Sequence, residues 1–113
     1  MTQTEGIKIV LHPVTDLGAA TAVYTALLGA EPTAVSDYYV GYDAGGQHIG
    51  LVPGDGSGGP VAYWAVADIK AKLAEVTAAG ATVKEAAHDV GGGRLVATVT
   101  DPDGNVLGLL QDR

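Results

Sequence analysis

The chain has 113 residues, of which 47% are hydrophobic and 17% charged, and its formal net charge is −7. This balance excludes an extended disordered chain, and the length fits one small domain with a modest core. Six scattered Lys and Arg residues exclude the clustered positive charge that nucleic acids and anionic membranes attract, and the lack of cysteine excludes disulfides and thiolate chemistry.

The first half of the chain predicts a strand, a helix and three further strands. A β-branched run favours a strand over 7–14. Asp16 is a good N-cap for an amphipathic helix over about 17–28, and Gly29 is the expected stop. The three short strands that follow are expected over about 33–36, 38–42 and 47–52, with a hairpin turn at 43–46.

The second half repeats the same order of elements. Asp68 stands where Asp16 stands in the first half, before a helix over about 69–79, and Gly108-Leu109 repeats Gly50-Leu51. Two copies predict a pseudo-symmetric fold in which each half is β-α-β-β-β. The remaining elements of this half are strands over 61–66, 82–86, 94–100 and 106–110, with a tight turn at 101–105.

A segment rich in Pro and Gly joins the two halves. It covers 53–60 and is the only linker-like stretch of the sequence. Because it is short, it is expected to connect two parts of one fold. We therefore predict a single domain over 1–113, with module one at about 7–53, the linker at 53–60 and module two at about 61–111.

Short motifs run along nearly the whole chain in a fixed order. They are Pro13-Val14-x-Asp16-Leu17, Tyr24-x-x-Leu27-Leu28-Gly29, Val66-x-Asp68-Ile69, Gly80-Ala81 and Asp101-Pro102-Asp103-Gly104-Asn105-Val106-x-Gly108-Leu109-x-Gln111. In this order and spacing they resemble the vicinal oxygen chelate superfamily, which includes glyoxalase I, bleomycin-resistance proteins and extradiol dioxygenases. The resemblance implies an α+β fold of two βαβββ modules that form a cupped, partly open β-barrel, usually as a homodimer.

The resemblance also implies a divalent metal in the cup, held by side chains of the first and last strands of each module. The corresponding positions here are Ile9 and Val61 on the first strands and Gly50 and Gly108 on the last strands. None of the four has a side chain that can donate nitrogen or oxygen to a metal ion. We therefore expect no metal and no cofactor, and we expect neither the glyoxalase nor the dioxygenase activity of the superfamily in its usual form.

Strand alternation suggests which side chains face the cup. His48 has the parity of Gly50, so it is a candidate hydrogen-bond anchor or general base, with a rim histidine of no role as the alternative. Tyr63 has the parity of Val61 and can either contact a ligand or fill the core.

A predicted tyrosine strand and one arginine supply the other candidates. Tyr38 and Tyr42 share one face and Tyr39 takes the other, but a shift of one residue in register exchanges the two faces. We take Tyr38 and Tyr42 as ligand-binding candidates. Arg94 follows a triple-glycine turn and can clamp a carboxylate or phosphate, or form a surface salt bridge.

Three functions are compatible with these residues. The first is a metal-free protein that binds an apolar or aromatic small molecule in the cup. The second is an enzyme of the same superfamily with a noncanonical site, either a metal-independent lyase or isomerase using His48 and a tyrosine, or a metal enzyme such as a dioxygenase with relocated ligands. The third is a structural or regulatory partner protein without a pocket. We favour the first.

The expected partners are a small-molecule ligand and a second copy of the chain, with neither nucleic acid nor membrane. The segment 1–6 is polar and lacks the apolar run of a signal peptide, so the expected location is the cytoplasm.

Overall fold

The computed structural model describes residues 3–55 and 58–112. The elements are β1 (Gly6–Val14), α1 (Leu17–Leu28), β2 (Ala34–Val35), β3 (Val40–Ala44), β4 (Gln47–Pro53), β5 (Val61–Ala65), α2 (Ile69–Ala78), β6 (Thr82–Asp89), β7 (Leu95–Thr100) and β8 (Val106–Gln111). The predicted β-α-β-β-β order is thus present twice, and the α+β, glyoxalase-like fold class is confirmed.

The chain divides into two compact units. The first unit comprises the described residues of 9–61, and its strands lie in the order β2-β3-β4-β1. Strand β3 pairs antiparallel with both β2 and β4, whereas β4 and β1 pair parallel. One face of this sheet packs against α1, with Val40, Tyr42 and Leu51 at its centre.

Helix α1 has the predicted ends. The side chain of Asp16 accepts a hydrogen bond from the backbone N–H of Ala19 at 3.0 Å, which satisfies one of the otherwise unpaired amides of the first turn. Gly29 closes the helix in the left-handed region, with φ of 65°. The helix carries no charged side chain, so it is held by packing rather than by ion pairs.

The hairpin between β3 and β4 differs from its predicted bounds. The predicted strand over 38–42 begins only at Val40, because the backbone N–H of Ser36 donates to the Tyr39 carbonyl at 2.8 Å and forms a turn there. The turn proper is Gly45-Gly46, with φ of 59° and 79°, as a two-residue hairpin turn requires. Asp43 therefore lies in the strand and pairs with His48.

The second unit comprises the described residues of 3–8 and 62–112. Its strand order β6-β7-β8-β5 repeats the pattern of the first unit, with β5 and β8 parallel and the other two pairs antiparallel. Helix α2 begins at the predicted cap, Asp68, and packs on a core of Val66, Ile69, Ala97 and Leu109. It ends one residue earlier than predicted, at Ala78.

The division into one domain with a linker at 53–60 stays a prediction, and residues 56–57 of that linker lie outside the described residues. Neither helix in the described part of the chain is long and apolar enough to span a bilayer.

Candidate functional site

The sheet face of the first unit that turns away from α1 carries one of the predicted candidates, His48. Gly41 and Gly50 pair across β3 and β4 and leave the backbone bare on this face. The ring of Tyr39 covers both, because a Cβ on Gly41 would lie 2.7 Å from Tyr39 Cε2, and one on Gly50 would lie 2.6 Å from Tyr39 Cε1. Glycine at these two positions is what lets an aromatic ring lie directly against the strands.

Three side chains beside this ring form a continuous hydrogen-bonded chain. The Tyr39 hydroxyl is hydrogen bonded to Nε2 of His48, and the two rings are nearly parallel, with centroids 6.0 Å apart. Nδ1 of His48 lies 2.9 Å from Oδ1 of Asp43. The Thr33 hydroxyl donates to the other oxygen, Oδ2, at 3.0 Å. The hairpin register, which sets Asp43 opposite His48, makes this arrangement possible.

The charge state of Asp43 fixes the direction of these hydrogen bonds. The hydrogen bond from His48, and after it the one from Thr33, lowers the pKa of the Asp43 carboxyl group, so it is a carboxylate at neutral pH. A carboxylate only accepts hydrogen bonds, so Nδ1 of His48 must carry a proton. In neutral His48, Nε2 is then an acceptor, and Tyr39 donates to it.

The metal implied by the resemblance does not fit the residues at its expected positions. Gly50 lacks a donor, and a Cβ there would also lie 2.7 Å from Leu11 Cδ2. Gly108 lies under the ring of Tyr63, and a Cβ at position 108 would lie 2.5 Å from Tyr63 Cδ2. The first-strand positions are the aliphatic Ile9 and Val61. Within 3–55 and 58–112, no group of three or more His, Cys, Asp or Glu side chains is placed to hold a metal ion.

Tyr63, in the second unit, is half-buried against Gly108. Burial, and secondly the negative charge of Glu85, raises the pKa of the Tyr63 phenol. The Thr98 hydroxyl donates to Glu85 at 3.2 Å and holds this carboxylate in place. Tyr63 is therefore a neutral phenol over the physiological pH range.

Tyr42 lies in the core. It is fully buried, its hydroxyl donates to the Thr21 carbonyl at 3.1 Å, and Thr25 Oγ1 is 2.9 Å away. Tyr42 was predicted to contact a ligand. The structure corrects this prediction, because β3 directs Val40 and Tyr42 towards α1 and into the core. Tyr38 lies in the turn before β3, and 79% of it is exposed.

Arg94 forms an ion pair at the end of the second unit. Its Nε lies 2.6 Å from Oδ1 of Asp112, and Lys8 Nζ lies 3.7 Å from Oδ2. The hydrogen bond from Arg94 is the main cause of the lowered pKa of the Asp112 carboxyl group. Arg94 thus forms a surface salt bridge, which was one of the two roles predicted for it.

A separate cleft of about 170 Å³ lies beside α1 and is lined in part by His12 and Tyr24. The Tyr24 hydroxyl is 3.0 Å from His12 Nδ1, and burial lowers the pKa of His12. The cleft is smaller than the roughly 300–1,000 Å³ of most ligand pockets.

Sequence reasoning missed Tyr39 and Asp43, the two partners of His48. A usable signal was present, since a two-residue turn at Gly45-Gly46 necessarily pairs Asp43 with His48.

Comparison with known proteins agrees with this architecture. A family model described as the Glyoxalase/Bleomycin resistance protein/Dioxygenase superfamily matches residues 6–109. No curated protein matches the chain at a significant level.

Solved structures with the same fold share little sequence with the chain. A hypothetical protein from Bacillus halodurans C-125 has a TM-score of 0.80 at 14% identity, covering 99% of this chain and 96% of that one. A superfamily member from Vibrio splendidus 12B01 has a TM-score of 0.73 at 18% identity, with coverages of 98% and 100%. A Streptomyces coelicolor methylmalonyl-CoA epimerase in complex with 2-nitronate-propionyl-CoA has a TM-score of 0.75 at 17% identity, with coverages of 97% and 96%. At these identities the likeness establishes the fold alone.

Proposed function

The chain belongs to the Glyoxalase/Bleomycin resistance protein/Dioxygenase superfamily, and from this premise we propose that it is a small-molecule-binding protein that uses no metal at the superfamily's positions. Its ligand is an apolar or aromatic compound. The ligand lies on the sheet face of the first unit opposite α1, where His48 and Tyr39 provide the polar contact.

One observation carries this proposal, namely the covering of both last-strand glycines by large side chains. Leu11 and Tyr39 cover Gly50, and Tyr63 covers Gly108. Where the superfamily's chemistry would need metal ligands, this chain has apolar and aromatic surface. Surface of that kind beside a few fixed polar groups is the usual composition of a ligand site.

A thermal-shift titration tests the metal-free part of the proposal. We expect chelator-treated protein to show no saturable rise in Tm with Mg, Mn, Fe, Co, Ni or Zn, because a ligand that binds the native state stabilises it by RT ln(1 + [L]/Kd). His88→Ala is the matched control, since His88 bonds only locally to the carbonyl of Ala86 at 2.9 Å. A saturable rise with one metal that survives in His88→Ala but disappears in His48→Ala would contradict the proposal.

A second candidate function is an enzyme of the superfamily with a noncanonical site, acting as a lyase, isomerase or dioxygenase. The observation that favours it is the position of His48 between a carboxylate and a phenol, since a histidine oriented in this way is a common general base. The epimerase of Streptomyces coelicolor shows that the same fold can hold an enzyme.

Product analysis separates the two candidates. For a binding protein we expect any bound small aromatic compound to be recovered unchanged after prolonged incubation. Turnover that falls by roughly 100-fold in His48→Ala, but not in His88→Ala, would instead assign an enzyme with His48 as general base. The measurement is mass spectrometry of the ligand pool over time.

The homodimer and the cytoplasmic location remain predictions. Analytical ultracentrifugation tests the first, and localisation of the tagged chain tests the second.

A further inference from the structure

We propose that a carboxylate and an aromatic ring of the second unit, Glu85 and Tyr63, together bind an organic ammonium group. The site lies on the sheet face that turns away from α2. It belongs to a different unit from the ligand site of the proposed function, and it does not depend on that function.

The residues of this site lie in one row across the four strands of the second unit. The cross-strand partners run from Glu85 to Thr98, from Thr98 to Gly108, and from Gly108 to Tyr63. Side chains of directly paired residues stand next to each other on the same face of a sheet. The row therefore brings a carboxylate, a hydroxyl group and a phenol ring to one strip of the surface.

The row turns away from α2. Thr98 and Gly108 are sequence neighbours of Ala97 and Leu109, which pack in the core with α2. Because successive side chains of a strand point to opposite faces, the row lies on the other face of the sheet. The ring of Tyr63 covers the bare backbone at Gly108 and so forms the aromatic part of this face.

A one-residue bulge decides the charge of the row. Val83 pairs with Val99, so a regular antiparallel register would place Lys84 opposite Thr98. Strand β6 has one extra residue at this point, and Glu85 pairs with Thr98 instead. Bulges commonly redirect a side chain in this way. Here the bulge gives the row a carboxylate in place of an ammonium group.

The carboxylate of Glu85 is held in place but has no cation as a partner. The hydroxyl of Thr98, which is 4% exposed, donates to Oε1 of Glu85 at 3.2 Å. Within 3–55 and 58–112, Glu85 forms no ion pair and accepts no other side-chain hydrogen bond. Burial, and after it the negative charge of Glu85, raises the pKa of the Tyr63 phenol, so the field of the carboxylate reaches the ring.

This combination of groups selects an organic cation. A carboxylate attracts positive charge, and the face of an aromatic ring attracts the same charge through its quadrupole. A divalent metal ion would need several oxygen ligands, and no group of three or more such side chains occurs in the described part of the chain. An ammonium group needs only one acceptor for its N–H and an aromatic surface for its carbon substituents.

The repeat offers an internal comparison. The corresponding row of the first unit consists of Ala34, Gly41, Gly50 and Leu11. None of these four side chains is polar, so the sheet does not need polar groups at this place in order to form. The hydroxyl, the carboxylate and the phenol of the second unit are therefore additions to the shared fold, and we expect ammonium binding in the second unit alone.

The proposal predicts a difference between two probes of nearly equal shape, benzylamine and benzyl alcohol. Only benzylamine is a cation at neutral pH. We expect it to bind about tenfold more tightly, since hydrogen bonds to charged groups are stronger than neutral ones. Ligand-observed NMR at low ionic strength gives both dissociation constants. The amide shifts of Glu85 and Thr98 should move during the benzylamine titration.

Two glutamates provide the variant and its control. Glu85→Gln keeps the size of the side chain but removes its charge, so we expect the preference for benzylamine to disappear. Glu31→Gln makes the same change in net charge at an exposed residue of the first unit, and we expect it to keep the full preference. A preference that survives in Glu85→Gln overturns the inference.

The carboxylate of the first unit, Asp43, is the competing site for a cation. Asp43→Asn should leave the preference for benzylamine unchanged, and its loss in this variant would overturn the inference. If the two probes bind the unmodified protein equally, the ammonium site is overturned while an aromatic ligand site in the first unit still stands. If neither probe binds, the ammonium site is overturned as well.

Discussion

Tyr42→Ala is expected to lower the free energy of unfolding by about 3–5 kcal/mol, the usual cost of removing a large aromatic side chain from a core. The residue is fully buried between β3 and α1, in one cluster with Val40 and Leu51. The truncation leaves a cavity where the ring was, and it also leaves the Thr25 hydroxyl and the Thr21 carbonyl without their Tyr42 partner.

Two further variants divide this cost into its parts. Tyr42→Phe keeps the ring and loses only the hydroxyl, so we expect a loss of about 1 kcal/mol. Tyr38→Ala, at a residue that is 79% exposed, should change stability by less than about 0.5 kcal/mol. Urea denaturation of the four proteins gives the comparison, and equal midpoints for Tyr42→Ala and Tyr38→Ala would show that Tyr42 is not a core residue.

Gly108→Ala is expected to destabilise the protein by about 1–3 kcal/mol, although alanine is ordinarily an easy replacement in a strand. The new Cβ would lie 2.5 Å from Cδ2 and 2.6 Å from Cγ of Tyr63. Because Cγ is next to the Tyr63 backbone, the ring cannot swing aside as a flexible chain end would. Gly50→Ala should lower the free energy of unfolding by a smaller amount, since the new Cβ would meet only the outer atoms of the Tyr39 and Leu11 side chains.

The control for Gly108 lies in α1. At Gly18 a Cβ would meet only Asp16 Oδ1, at an ordinary 3.5 Å, and alanine is the better helix former, so Gly18→Ala should stabilise the protein by about 0.5–1 kcal/mol. In the Tyr63→Ala variant, the loss of stability caused by Gly108→Ala should largely disappear, because the ring that obstructs the new Cβ is absent. Additive losses in that double-mutant cycle would contradict the contact between the two residues.

The fold could be predicted because its signals repeat along the chain. Asp16 and Asp68 are caps of the same kind, each accepting from the backbone N–H three residues on, and each precedes a helix of the expected length. A signal that occurs twice in the same order is difficult to misinterpret, and the helix starts were therefore correct. The ends of short strands have no comparable marker.

The site was predicted less completely because it depends on strand bounds. Parity placed His48 with Gly50, and the structure agrees, since His48 and Tyr39 both approach the bare backbone of Gly41. Parity could not choose between Tyr39 and Tyr42, because a one-residue shift in β3 exchanges its faces. The turn formed by Ser36 and Tyr39 decides that register, and side-chain bonds of this kind leave little trace in a hydrophobic pattern.

The covering of Gly50 and Gly108 has an evolutionary consequence. A mutation that introduces a carboxylate at position 108 encounters the Tyr63 ring, and one at position 50 encounters Tyr39 and Leu11. Either mutation alone would lower the stability of the folded protein without creating a usable metal ligand. A second mutation would be needed to remove the obstructing side chain. A carboxylate ligand at either position would therefore require at least two substitutions, one for the ligand and one for the side chain that covers it.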